Sequence, residues 1–124
     1  MSHGKLMVVG IAVIVCAFVA FGMWNRSQPG EYDAFAQCIA EQEAVFYGAF
    51  WCPHCQEQKA MFGRSERLLP YEECSTPNGN AQVAVCNEAG IASYPTWIFA
   101  DGERLEGVQT FETLAEKTGC ELPV

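Results

Sequence analysis

A chain of 124 residues has room for one small domain, not two. Residues 31–124 hold all 15 acidic side chains against five basic ones (Lys59, Arg64, Arg67, Arg104 and Lys117), a local net charge of −10. Such a surface repels phosphate backbones and anionic headgroups, which argues against nucleic-acid binding.

Leu6 to Trp24 is a run of 19 residues without a charge. As a helix it spans roughly 28 Å, close to the hydrocarbon thickness of a bilayer. Residues 1–24 are therefore read as a single-pass membrane anchor, 25–30 (NRSQPG) as a polar linker and 31–124 as the soluble domain. The competing reading is a cleaved signal peptide leaving after Ala20-Phe21-Gly22. Length and an interfacial Trp24 favour the anchor. Cys16 is then a small apolar residue of the span.

The soluble part begins with Glu31 to Gln42, where Phe35, Cys38 and Ile39 fall at helical spacing. Ala44 to Phe50 is a continuous apolar run of strand length, the pattern of a strand buried on both faces. The WCPHC segment follows, leading into a helix over Gln56 to Arg67, with Pro53 suited to the first helical position. Leu69 to Cys74 reads as a short strand and 75–79 as a turn. Asn80 is the expected cap of a helix through Ala89, stopped by Gly90. Thr96–Phe99 and Arg104–Val108 flank Asp101-Gly102 as a β-hairpin. A helix over Phe111–Thr118, ended by Gly119, closes the chain. The order is that of an α/β fold with a central sheet between helices.

Six cysteines remain outside the apolar run: Cys38, Cys52, Cys55, Cys74, Cys86 and Cys120. A dense, even set behind an export segment points to an oxidising compartment, the periplasm or another extracytoplasmic space. Cys52 and Cys55, three apart at a helix start, are neighbours across one turn and can close a disulfide. Cys52 faces the unpaired N–H groups and the positive end of the helix dipole, which favours its thiolate and makes it the nucleophile. Cys55, one turn inside, is the resolving thiol. His54 between them adds donors that can stabilise the neighbouring sulfur, pushing the pair toward an oxidising disulfide. Cys74 and Cys86 are expected to staple a loop, and Cys38 and Cys120 to join the first and last soluble helices if those pack together. Alternatively, one of these pairs relays electrons to a membrane partner. We assign no metal, because zinc usually asks for a second close pair of ligands, and no cofactor.

The FYGAFWCPHCQEQKAMFG, LPYEEC, GIASYPTWIF and GVQT segments together resemble the thioredoxin-like domain of vitamin K epoxide reductase homologues, within the thioredoxin superfamily. The resemblance implies a thioredoxin-like fold with a cis Pro95 facing the Cys52–Cys55 pair. Tyr94 would offer backbone groups to an extended substrate segment, and Trp51 is counted with Tyr94 and Pro95 among the substrate contacts. It also implies an integral-membrane quinone reductase of the same kind as the partner that re-oxidises the pair. One departure stands out: thioredoxins carry a buried acid six residues before the first active-site cysteine, and this chain has Phe46.

The leading functional expectation is an oxidase that passes the Cys52–Cys55 bond to exported cysteine-containing proteins. A reductase or isomerase using the same pair is the alternative. A non-enzymatic metal-holding or accessory module is the reading from another class.

Overall fold

A computed structural model describes residues 2–123; Met1 and Val124, the outer bounds of the expected anchor and soluble domain, lie outside the described residues. Helix α1 (His3–Arg26) runs two residues past the apolar stretch and buries none of its side chains against the rest of the protein. By length and composition it can cross a membrane. Ser27 ends it, its N–H reaching the Met23 and Trp24 carbonyls. Arg64 donates to the Asn25 carbonyl and side chain, so the foot of the helix is tied to the domain. Gly30 is a position that only glycine fits, because a Cβ there would lie 2.3 Å from Ser65 Oγ.

The domain is a four-stranded mixed sheet in the order β2-β1-β3-β4. Strand β1 (Val45–Gly48) pairs parallel with β2 (Tyr71–Glu73) and antiparallel with β3 (Thr96–Ile98), which pairs antiparallel with β4 (Arg104–Glu106). A parallel pair needs a crossover, supplied here by α3 (Pro53–Met61) and a 3-10 segment over Gly63–Leu68. Helices α2 (Asp33–Glu41) and α5 (Phe111–Thr118) pack with them on one face. The fold is the thioredoxin-like α/β arrangement.

Aromatic side chains fill the layer between sheet and helices. Phe46 stacks on Trp97 at 4.9 Å between ring centroids, while Phe62 meets Phe111 at 4.8 Å where α3, α2 and α5 converge. The opposite face is covered by a smaller cluster of Cys74, Cys86 and Ile91 against half-buried Tyr47, Tyr94 and Ile98. This explains why β1 alternates in burial rather than being buried on both sides: Phe46 lies in the main core and Tyr47 against the thinner cluster, while Val45 is only half buried.

Strands β1, β3 and β4 and helix α2 are one to three residues shorter than the reading of the sequence, and three further elements differ from it. The long helix expected to Arg67 breaks at Phe62, because Gly63 takes a left-handed conformation (φ 53°) and the chain tightens into 3-10 geometry. The helix expected from Asn80 is only α4 (Ala84–Glu88), and Asn80 lies in the preceding turn. A bridge between Ser75 and Gln82 and the Val83 N–H bond to the Cys74 carbonyl keep that stretch extended. Strand β2 starts at Tyr71 rather than Leu69, since Leu69 is held by the close of the 3-10 segment. By contrast, α5 has the expected bounds, with Thr110 capping Thr113 N–H and Gly119 left-handed (φ 74°) at its end.

Candidate redox site

Cys52 is the N-cap residue of α3, in extended conformation, with Pro53 at the first helical position. The Cys55 N–H donates to Cys52 Sγ at 3.4 Å. One of the helix's unpaired donors is thus aimed at the first sulfur, the geometry in which a helix start stabilises negative charge. Ala49, just after the strand, accepts the Cys52 N–H, and the Cys52 carbonyl accepts from the Gln56 N–H, which holds the turn in place. Both thiols are free and well covered, Cys55 (1% exposed) more than Cys52 (5%). Burial, then the hydrogen bond to Cys52, pushes the Cys55 thiol up to about 12.

Cys55 approaches the sheet closely because β1 ends in glycine. A Cβ on Gly48 would sit 2.9 Å from Cys55 Sγ and 2.9 Å from Tyr71 Cε2. Tyr71 is itself held on both sides. Its hydroxyl donates to Glu73, and Lys59 Nζ lies 3.6 Å above its ring. Burial, reinforced by Glu73, moves the Tyr71 phenol well above its usual range. Six residues before Cys52, the position where thioredoxins carry an acid is the fully buried ring of Phe46.

The second wall of the site comes from the loop before β3. The Tyr94–Pro95 peptide is cis, Pro95 is fully buried, and the Cys52 thiol faces the Tyr94 carbonyl at 3.6 Å. Trp51 projects beside Cys52, half exposed, its ring edge against Tyr94 at 5.8 Å and its Nε1–H donating to Ser75 Oγ. Phe50, the residue before Trp51, is also half exposed. His54 is the outlier of the motif. It stands on the outer side of the helix, 72% exposed, with Nδ1 3.5 Å from Glu57, so in this conformation it partners a carboxylate rather than the Cys52 sulfur.

The four remaining cysteines of the domain form two disulfides, Cys38–Cys120 and Cys74–Cys86. The first joins α2 to the segment after α5, and the second lies fully buried in the smaller cluster. Cys16 lies on α1. Among the described residues no group of three or more His, Cys, Asp or Glu is arranged to hold a metal ion.

Several residues of the site were not singled out from the sequence. Gly48 carried a signal, since a glycine inside a strand often marks close approach of another group. Gln58 carried none. It is completely buried in α3, accepting from Trp97 Nε1 and Gln109 N–H and donating to the Gln109 carbonyl, so one amide joins α3, β3 and the segment after β4. Ser75 and Gln82 were read only as turn and helix residues.

No protein-family model matches the chain. It is 42% identical over 93 residues to thiol-disulfide oxidoreductase LTO1 of Arabidopsis thaliana, a match covering 72% of this chain. The aligned part is 24% of that protein, so the chain spans about a quarter of the curated relative's length. This likeness supports a place among the thiol–disulfide oxidoreductases.

Proposed function

We propose that the protein is a membrane-tethered thiol–disulfide oxidoreductase that donates the Cys52–Cys55 disulfide to exported cysteine-containing proteins. The reaction begins when a substrate thiolate attacks Cys52 Sγ. The Cys52–Cys55 bond breaks, Cys55 leaves with the electron pair and takes a proton, and substrate and Cys52 share a mixed disulfide. A second substrate thiolate then attacks the substrate sulfur of that bond, closing the substrate's disulfide and releasing Cys52. The pair ends reduced by two electrons. An integral-membrane quinone reductase of the vitamin K epoxide reductase type would take them back.

The observation that carries the direction is the setting of Cys55. It is buried at Gly48, its thiol is held protonated, and the buried Phe46 holds the sequence position at which thioredoxins carry an acid. A protonated Cys55 is slow to attack the mixed disulfide from within, since the thiolate is the nucleophile. The substrate's own second thiol therefore has time to resolve it, which is the oxidising outcome. The apolar helix α1 supports tethering to a membrane, with the domain in the periplasm or another extracytoplasmic space.

Two measurements test this reading. A Cys55→Ala variant should accumulate thiol-sensitive adducts of exported proteins on Cys52, and the absence of such adducts would overturn the proposal. Equilibration of the pair with glutathione should leave it mostly reduced at buffer ratios that keep ordinary structural disulfides closed. A pair that stays oxidised there would instead favour the reductase or isomerase reading.

A further inference from the structure

Around Cys52 four residues form a closed circuit of side-chain contacts and one backbone bridge. Trp51 Nε1–H donates to Ser75 Oγ at 2.9 Å. The Ser75 backbone is bridged across the loop to that of Gln82. Gln82 Oε1 accepts from the Tyr94 hydroxyl, and the Tyr94 ring returns to Trp51 at 5.8 Å, edge to face. The loop that carries Ser75 and Gln82 is closed at its base by the buried Cys74–Cys86 disulfide and by the Val83 N–H bond to the Cys74 carbonyl. Gln82 is not free to turn. Its Nε2 donates to Asn87 Oδ1 at 2.7 Å and to the Ile91 carbonyl at 3.1 Å, which leaves Oε1 for Tyr94. Ser75 is similarly committed, donating to the Thr76 carbonyl while it accepts from Trp51.

We infer that Ser75 and Gln82 are positioning residues that set the width and rigidity of the substrate cleft, and so select extended peptide thiols over small thiols. The inference rests on the proposed exchange at Cys52. Neither residue touches the sulfur. Each acts through a wall: Ser75 through Trp51, Gln82 through Tyr94, whose carbonyl lies 3.6 Å from Cys52 Sγ. A peptide entering the mixed disulfide must lie along the Tyr94 backbone, as a strand added at an exposed edge does. Its alignment therefore depends on that backbone being fixed beforehand. A small dithiol needs only to reach the sulfur and makes no such contact.

The test uses the full-length oxidised protein in detergent and follows the loss of its Cys52–Cys55 disulfide with two reductants, an extended dithiol peptide and dithiothreitol. Ser75→Ala and Gln82→Leu should each slow the peptide reaction by about tenfold, the effect of one positioned hydrogen bond lost. The dithiothreitol rate should stay within about twofold, because attack on the sulfur itself is unchanged. In the Tyr94→Phe background, Gln82→Leu should slow the peptide reaction less than it does in the unaltered protein, since the bond between the two side chains is already gone. Equal slowing with both reductants, an unchanged peptide rate, or full additivity with Tyr94→Phe would each overturn the inference while leaving the exchange activity intact. If the unaltered protein exchanges with neither reductant, the underlying function falls, and this inference with it.

Discussion

Replacing Gly48 by Ala should damage both the core and the redox pair. The added Cβ would lie 2.9 Å from Cys55 Sγ and from Tyr71 Cε2, and 3.4 Å from Cys55 Cβ. The first two distances are shorter than real Cβ contacts, so something must move. Neither neighbour yields readily: Cys55 is fixed on the first turn of α3 and 1% exposed, and Tyr71 is held by Glu73 and Lys59. Forcing a methyl into a packed core costs about 1–3 kcal/mol. The reduced entropy of the unfolded chain returns about 0.4–1 kcal/mol of that where the backbone can accept alanine, as strand β1 can. A net loss of about 1–2 kcal/mol lowers the melting temperature of a domain this size by about 5–15 °C. Displacing Cys55 should also slow closure of the pair with an oxidant. Thermal unfolding of the reduced protein and the rate of disulfide formation measure the two effects separately. Adding Tyr71→Leu removes one obstacle and should recover stability more than closure rate, because the Cys55 contact persists. A Gly48→Ala protein with unchanged melting temperature and closure rate would refute the argument that strand and sulfur meet at a glycine-sized gap.

Other outcomes follow from the same structure. The Cys55 thiol is raised from 9.0 to about 12, so between those values the folded reduced chain keeps a proton that the unfolded chain has released. Stability is therefore fully present below pH 9 and falls as pH rises toward 12. Reduced wild-type protein should lose more urea resistance than reduced Cys55→Ala between pH about 8 and about 10.5; equal losses would show that Cys55 is not held protonated. Gln58→Leu strands the Trp97 and Gln109 donors in the core and should destabilise by about 3 kcal/mol in denaturant titration. A change under about 1 kcal/mol would mean those groups find other partners. Replacing Cys38 and Cys120 by alanine opens a span of 82 residues and should cost about 4.5 kcal/mol, against about 3 kcal/mol for Cys74 and Cys86, separated by 12. The reverse order in equilibrium unfolding would show that the unfolded state, not loop length, governs these bonds.

What the sequence determined by itself is what spacing within a turn or a run can determine. A charge-free stretch of 19 residues makes a helix long enough for a bilayer whatever lies beyond it. Two cysteines three apart behind a strand, with a proline between them suited to the first helical position, point to a helix start, and there they sit. The alternation of strand and helix patterns was enough for the α/β order, and Gly119 for the end of α5.

Tertiary structure decided everything that joins residues far apart in the chain. Tyr94 reaches Cys52 from 42 positions away, Gln58 gathers Trp97 and Gln109, and Tyr71 closes on Gly48, through the pairing of the strands and the packing of α3 against them. The Cys74–Cys86 loop is the sharpest case. Asn80 followed by apolar and helix-forming residues reads locally as a capped helix, yet the bridge of Ser75 to Gln82 holds the chain extended to Val83. Local propensity is worth only tenths of a kcal/mol per residue. A buried disulfide and the hydrogen bonds gathered around it are worth several, so the long-range contacts set the geometry around the sulfur.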